Sequence, residues 1–294
     1  MKIAILNREP AAFPGGDLVH IREMTKALGE MGVERTYAPE GWNVKWLLQF
    51  DLVHLYHLNF GWCLQNFKGV WESGKPYIIT CVFYPTANLG ADVAAMRGAL
   101  EGAAAVVCYS SWEARELYEV TGYEKFVHII PPGAAPRFHA PDVRVGTAGW
   151  DGGGVLAVAA RGGDKNVDIV EHACQELGYP YTLARGINHA DLPEVYRKHR
   201  VFINASGSER MGLTIIEGLA SGCRVLATKY SRALEWFPGI VKVDPFDLAD
   251  LRLKLELAYT SEKWDYTPNA AARRLTWGAL AWQYKRLYEG VLRG

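Results

Sequence analysis

No apolar run in these 294 residues reaches the length of a membrane span, so no transmembrane helix is expected. Cysteine is scarce: Cys63, Cys81, Cys108, Cys174 and Cys223 are odd in number, scattered, and include no C-x-x-C pair. That argues against a disulfide framework or a zinc set and suits small core residues in a reducing compartment. The eight histidines show no H-x-x-x-H spacing, so no bound metal is expected. Net charge is lacking too, since 32 Lys and Arg balance 32 Asp and Glu. Neither half has the basic excess of a nucleic-acid binder, and charge gives no support for peripheral membrane contact. The fingerprint G-x-G-x-x-G is absent, which counts against a nicotinamide dehydrogenase. The opening residues Met1 to Arg8 turn polar too soon for a signal peptide and read as a first buried strand. A cytoplasmic protein is expected.

What is present is the pattern of two α/β domains of ordinary size. Short apolar runs at Lys2–Leu6, Asp51–Tyr56, Tyr77–Phe83, Ala104–Tyr109 and Phe126–Ile130 alternate with amphipathic segments, as in a parallel sheet with helices on its faces. Leu18, Ile21, Met24, Leu28 and Met31 recur at helical spacing, which places a first helix near Asp17 with Gly32 as its stop. Ser110 and Ser111 are candidate caps for a helix over 112–120. A Pro- and Gly-rich break from Pro131 to Gly154 marks the linker. The same alternation restarts at Val155 and ends in a helix over 276–292. The expected division is 1–140, 141–275, and a final helix over 276–294. Two Rossmann-like domains facing across a cleft would bind ligands at the carboxyl ends of their strands.

Three constellations carry chemistry. The first is Ser208-Glu209-Arg210-Met211-Gly212-Leu213-Thr214-Ile215-Ile216-Glu217-Gly218, between strand-like runs at 200–204 and 223–228. Two carboxylates eight positions apart, one after a strand and one on the following helix, can face one crevice. The free N–H groups of the helix start between them favour anions and sugar oxygens. The second is Arg161-Gly162-Gly163-Asp164-Lys165-Asn166, where two cations follow a buried strand and suit a diphosphate. The third is Phe13-Pro14-Gly15-Gly16-Asp17, where two glycines permit close backbone approach at a helix start.

The E-x7-E pair of Glu209 and Glu217, with Gly212-Leu213 inside it and Ala220-Ser221-Gly222-Cys223-Arg224-Val225 after it, resembles the retaining family-4 glycosyltransferases of the GT-B fold. Ile130-Pro131-Pro132-Gly133 through Phe138 resembles the segment that ends that family's first domain, with Pro132 where Asn is usual. The resemblance spans most of the chain and is strongest over 155–240. It implies an α/β GT-B fold with a C-terminal helix crossing back to the N-terminal domain. It also implies metal-independent sugar transfer from a nucleoside-diphosphate sugar, UDP- or GDP-linked, to a hydroxyl acceptor with retained configuration. By that resemblance Glu217 holds the ribose, Glu209 with Met211, Gly212, Leu213 and Thr214 positions the donor sugar, and Arg161 and Lys165 stabilise the leaving diphosphate. Gly15 and Gly16 face the donor. Acceptor candidates are Asp17, His20, Trp42, His57, Trp62 and Tyr84, the last standing where the family carries a histidine that this chain lacks. Two alternatives remain beside the enzyme: a non-catalytic sugar-nucleotide binder and a sugar-nucleotide epimerase of the same fold.

Overall fold

A computed structural model describes residues 1–7, 15–58, 61–83, 92–139, 153–159 and 163–294, without the side chains of 61–66. Two compact units divide the chain: Met1–Pro132 with Trp277–Gly294, and Gly133–Thr276.

The first unit runs β1 (Lys2–Leu6), α1 (Gly16–Glu30), β2 (Glu34–Tyr37), α2 (Val44–Leu47), β3 (Leu52–Tyr56), α3 (Gly61–Glu72), β4 (Tyr77–Thr80), α4 (Val93–Gly102), β5 (Ala105–Cys108), α5 (Ser111–Thr121) and β6 (Val127–Ile129). Its six strands are all parallel, in the order β2-β1-β3-β4-β5-β6. β3, β4 and β5 are buried along their whole length, which is why they read as continuous apolar runs rather than as alternation. Ala4, Leu6, Val53, Leu55, Ile79, Phe83, Leu100 and Leu117 form the core on one face. Ser110 caps α5 by accepting the Glu113 N–H, and Gly122 ends it in the left-handed conformation. The buried Glu113 carboxylate accepts the N–H groups of Phe83 and Tyr109, both at 2.5 Å, and so ties the ends of β4 and β5 together.

The second unit runs β7 (Val155–Val158), α6 (Val167–Leu177), β8 (Tyr181–Ala184), α7 (Leu192–Arg197), β9 (Val201–Asn204), α8 (Leu213–Ala220), β10 (Arg224–Thr228), β11 (Val241–Val243), α9 (Leu248–Thr260) and α10 (Thr267–Ala272). Its five strands are parallel in the order β11-β10-β9-β7-β8. Val155, Ala157, Val170, Val201, Ile203, Leu226 and Leu251 fill the core. Asn269 donates to the carbonyls of Leu219 and Cys223 and so closes the carboxyl end of α8.

The final helix, α11 (Trp277–Arg293), belongs to the first unit and packs along α1. Tyr288 OH lies 2.7 Å from His54 Nδ1, and Tyr284 OH lies 3.1 Å from Thr80 Oγ1, inside the sheet's core. The units divide after Pro132, ahead of the break expected at 140. Ala134 forms a parallel bridge to Thr276, and Phe138, in a 3-10 turn over Pro136–Phe138, packs on Tyr196 with ring centroids 5.9 Å apart. β4 is shorter than the expected run to Phe83, because Val82 turns to φ 43° and takes the backbone out of the strand.

Candidate functional site

Numbered within its own unit, each sheet contains the order 2-1-3-4-5, with a sixth strand added in the first. Such a sheet has one point where neighbouring strands send their connections to opposite faces, and ligands bind outside the carboxyl ends there. In the second unit that point lies between β7 and β9, and the first two constellations converge on it.

Glu209 follows β9. Its backbone is fixed by a parallel bridge to Ser231, and the Arg232 N–H donates to the Glu209 and Arg210 carbonyls at 3.3 and 2.7 Å. Its Oε2 receives Lys165 Nζ at 3.2 Å, Asn204 Nδ2 at 3.0 Å and Ser206 Oγ at 3.4 Å. Lys165 comes from the loop after β7. That loop is tied to the Glu209 loop by Gly207 N–H to the Asp164 carbonyl (2.6 Å) and Asn166 Nδ2 to the Ala205 carbonyl (3.0 Å). Burial works against the Lys165 charge, but Glu209 and Asp164 outweigh it and raise its pKa, so Lys165 is a cation at neutral pH.

Gly212 opens α8 at φ 60°, a conformation that L side chains rarely adopt. A Cβ there would stand 2.9 Å from Ile215 Cδ1 and 3.1 Å from Glu209 Cγ. Glycine is therefore required by both conformation and space. The N–H groups of Leu213 and Thr214 precede the first bonds of the helix, which Ile215 and Ile216 make to the Gly212 carbonyl at 2.8 and 3.3 Å. Met211 is buried. A Cβ at Gly218 would stand 2.8 Å from Phe202 Cδ1, which shows how closely α8 lies on β9.

Glu217 sits on α8 with only 4% of its side chain exposed. Its Oε1 accepts from His189 Nε2 at 2.5 Å, and its Oε2 accepts from Tyr196 OH at 3.5 Å. Burial pushes its pKa above the usual carboxylate range, against the opposing pull of His189, Arg137 and Tyr196. His189, in the loop after β8, and Tyr196, on α7, were not anticipated from the sequence. Neither carries a local signal, because only the fold brings them to Glu217. Arg161 lies outside the described residues, as do Tyr84 and the side chain of Trp62.

In the first unit the switch lies between β1 and β3. Gly15 precedes α1, and its carbonyl accepts the N–H groups of Leu18 and Val19. Gly16 is the first residue of α1. Asp17 Oδ2 lies 2.9 Å from His57 Nε2, and both side chains are largely buried. His57 has φ 72° at the carboxyl end of β3, and Val82 has φ 43° after β4. Non-glycine residues there each cost about 1–3 kcal/mol, and such strain clusters at ligand sites. His20 is buried edge-on to Trp277, 5.0 Å between centroids, and next to Tyr56 and Tyr109. Neither ring nitrogen of His20 has a hydrogen-bond partner among the described residues. Burial lowers its pKa to about 3, with Asp17 pulling upward and His57 downward. Trp42 packs half-buried against the core beside Trp46 and Gly69. Among the described residues no three His, Cys, Asp or Glu side chains gather as a metal set, and no helix is long and apolar enough to cross a membrane.

No family model matches the chain. The chain shares the architecture of a sucrose-phosphate synthase from Thermosynechococcus elongatus at a TM-score of 0.77, with 99% of each chain covered and 16% identity. The chain has the GT-B fold. Two further GT-B structures agree. Anabaena HepE in complex with UDP matches at a TM-score of 0.74 with 14% identity, covering 99% of this chain and 100% of that one. The catalytic domain of starch synthase IV from Arabidopsis thaliana, bound to ADP and acarbose, matches at 0.67 with 15% identity, covering 100% and 99%. By sequence, mannosylfructose-phosphate synthase of Agrobacterium fabrum is 31% identical over 108 residues, 34% of this chain. The match spans 24% of that relative's length, about a quarter.

Proposed function

We propose that this GT-B protein is a retaining glycosyltransferase that moves a sugar from a nucleoside-diphosphate sugar to a hydroxyl acceptor. The observation that carries the reading is the Lys165–Glu209 pair at the switch between β7 and β9, beside the glycine-opened start of α8. A cation, a carboxylate and a free helix start at one point match the parts of such a donor: diphosphate, sugar hydroxyls and pyrophosphate oxygens. The UDP and ADP bound in structures of the same fold support this assignment.

In this reading Lys165 and Arg161 take up charge on the diphosphate as the glycosidic bond breaks. The bond electrons leave with the β-phosphate oxygen, the acceptor oxygen adds to the anomeric carbon, and the acceptor proton passes to the departing phosphate. Glu209 and the backbone of Met211, Gly212, Leu213 and Thr214 hold the donor sugar, and Glu217 holds the ribose. Protein cations and the start of α8 do the work of a divalent ion, so no metal is required. Gly15 and Gly16 face the donor, and Asp17 and His57, paired at 2.9 Å, serve the acceptor.

A thermal-shift screen against UDP-, GDP- and ADP-sugars tests the donor assignment, since ligand at a hundred times its Kd adds about 2.7 kcal/mol. The anomeric configuration of the product is then read by NMR. Binding of a donor without release of nucleoside diphosphate, to any acceptor or to water, would reduce the protein to a binder. Interconversion of two nucleotide sugars would make it an epimerase.

A further inference from the structure

Behind Glu217 stands a chain of side chains that the donor reading does not use. Arg137 Nη2 lies 2.7 Å from His189 Nδ1, and His189 Nε2 lies 2.5 Å from Glu217 Oε1. A guanidinium has only donors. His189 Nδ1 is therefore the acceptor, and its proton is on Nε2, where it donates to Glu217. The imidazole is a neutral bridge in one tautomer between a cation and a carboxylate. Its ring is braced by Phe138, 5.2 Å between centroids, from the same 3-10 turn that carries Arg137. That turn is itself pinned by the Arg197 guanidinium donating to the Arg137 carbonyl at 2.5 Å.

We propose that His189, held in one tautomer by Arg137, positions the Glu217 carboxylate to accept the ribose hydroxyls of a nucleoside diphosphate. The inference rests on the donor reading above. A carboxylate has about four acceptor positions. The hydrogen bonds from His189 and Tyr196 fix its plane and leave capacity for a ligand hydroxyl. An α8 side chain without that clamp has freedom about its own torsions, and fixing it after binding costs affinity. His189 and Arg137 are thus positioning residues that act through Glu217, whereas Lys165 and Glu209 serve the diphosphate and the sugar.

Calorimetry with UDP, GDP and ADP, each beside its 2′,3′-dideoxy form, tests the proposal. Wild type is expected to bind one ribonucleotide about tenfold or more tighter than its dideoxy form, the scale of a hydrogen bond to a charged group. His189→Ala is expected to erase most of that preference while dideoxynucleotide affinity stays within about twofold. His189→Gln retains an N–H donor and recovers much of the preference, and Arg137→Met, which frees the tautomer, falls between. Melting curves establish that the variants are folded. An equal loss for both forms of the nucleotide would show a merely structural role and overturn the proposal. A ribose preference unchanged in both His189→Ala and Arg137→Met overturns it as well. Failure of wild type to bind any of the three nucleotides overturns the donor reading together with this inference. A wild type that binds ribo and dideoxy forms alike overturns the ribose role while leaving the donor reading standing.

Discussion

Gly212→Ala separates the conformational from the chemical role of the loop before α8. The residue sits at φ 60°, and a left-handed alanine costs about 1–2 kcal/mol. For a chain of this size that corresponds to a fall in Tm of about 2–8 °C. The new Cβ also meets Glu209 Cγ at 3.1 Å and Ile215 Cδ1 at 2.9 Å, so one of them must give way. Ile215 is fully buried, whereas Glu209 stands at the edge of the site. Glu209 therefore moves and loosens its hold on Lys165. A displacement near 1 Å in a reacting constellation lowers turnover by about a hundredfold. Gly178→Ala is the control. It has φ 69° with nothing within 4 Å, so it carries the conformational cost alone. Differential scanning calorimetry and single-turnover sugar transfer give the two readouts. Both variants are expected to melt lower, and only Gly212→Ala to lose turnover. Full transfer activity in a folded Gly212→Ala enzyme refutes the reasoning, as does an equal loss in Gly178→Ala.

Lys165→Ala is expected to lower turnover by about a hundredfold, the scale for one preorganised charge stabiliser, and EDTA is expected to leave wild type active. Strict need for an added divalent ion would overturn the metal-free assignment. Glu217→Ala is expected to weaken nucleotide binding more than it slows the chemical step; normal donor affinity in that variant removes the ribose role. His20 is held neutral in the fold with its pKa lowered to about 3, while the unfolded chain titrates near 6.5. Its stability contribution is thus complete above pH 6.5 and is lost as pH falls towards 3, at up to about 1.4 kcal/mol per pH unit. Urea unfolding of His20→Phe between pH 7 and 4 should show a shallower decline than wild type, and parallel slopes would refute it. Asp17→Asn and His57→Gln are expected to raise the acceptor KM without changing nucleotide affinity; unchanged acceptor kinetics in both sink the acceptor assignment.

Much of the frame was legible because parallel strands buried on both faces read as apolar runs. Val155–Val158 and Val201–Asn204 declare themselves that way, and Gly212 and the two glutamates follow from their place between strands. β2 was not legible. Glu34-Arg35-Thr36-Tyr37 is an edge strand exposed at every residue, so no hydrophobic pattern marks it. The break after Pro131 was visible, but not which unit would take Gly133–Phe138, because that depends on Phe138 finding Tyr196 nearly sixty positions away. The same limit hid His189. A histidine 28 positions from Glu217 has no periodicity linking the two, and their hydrogen bond exists only once α8 and the loop after β8 are in place. Trp42 packs half-buried against the core, and an aromatic-rich stretch serves packing as readily as sugar stacking.

The return of α11 to the first unit has a consequence for synthesis on the ribosome. The second unit, Gly133–Thr276, is contiguous and can close as soon as it has emerged. The first unit begins emerging earlier, yet its core stays incomplete until Tyr284 and Tyr288 arrive to meet Thr80 and His54. During that interval, some ten seconds or more at ordinary translation rates, the buried face of α1 and His54 Nδ1 lack their final partner, while His54 Nε2 and Thr80 Oγ1 can already meet at 2.8 Å. The half made first is therefore finished last. A chain that ends before α11 lacks Tyr284 and Tyr288 for the first unit while holding every residue of the second.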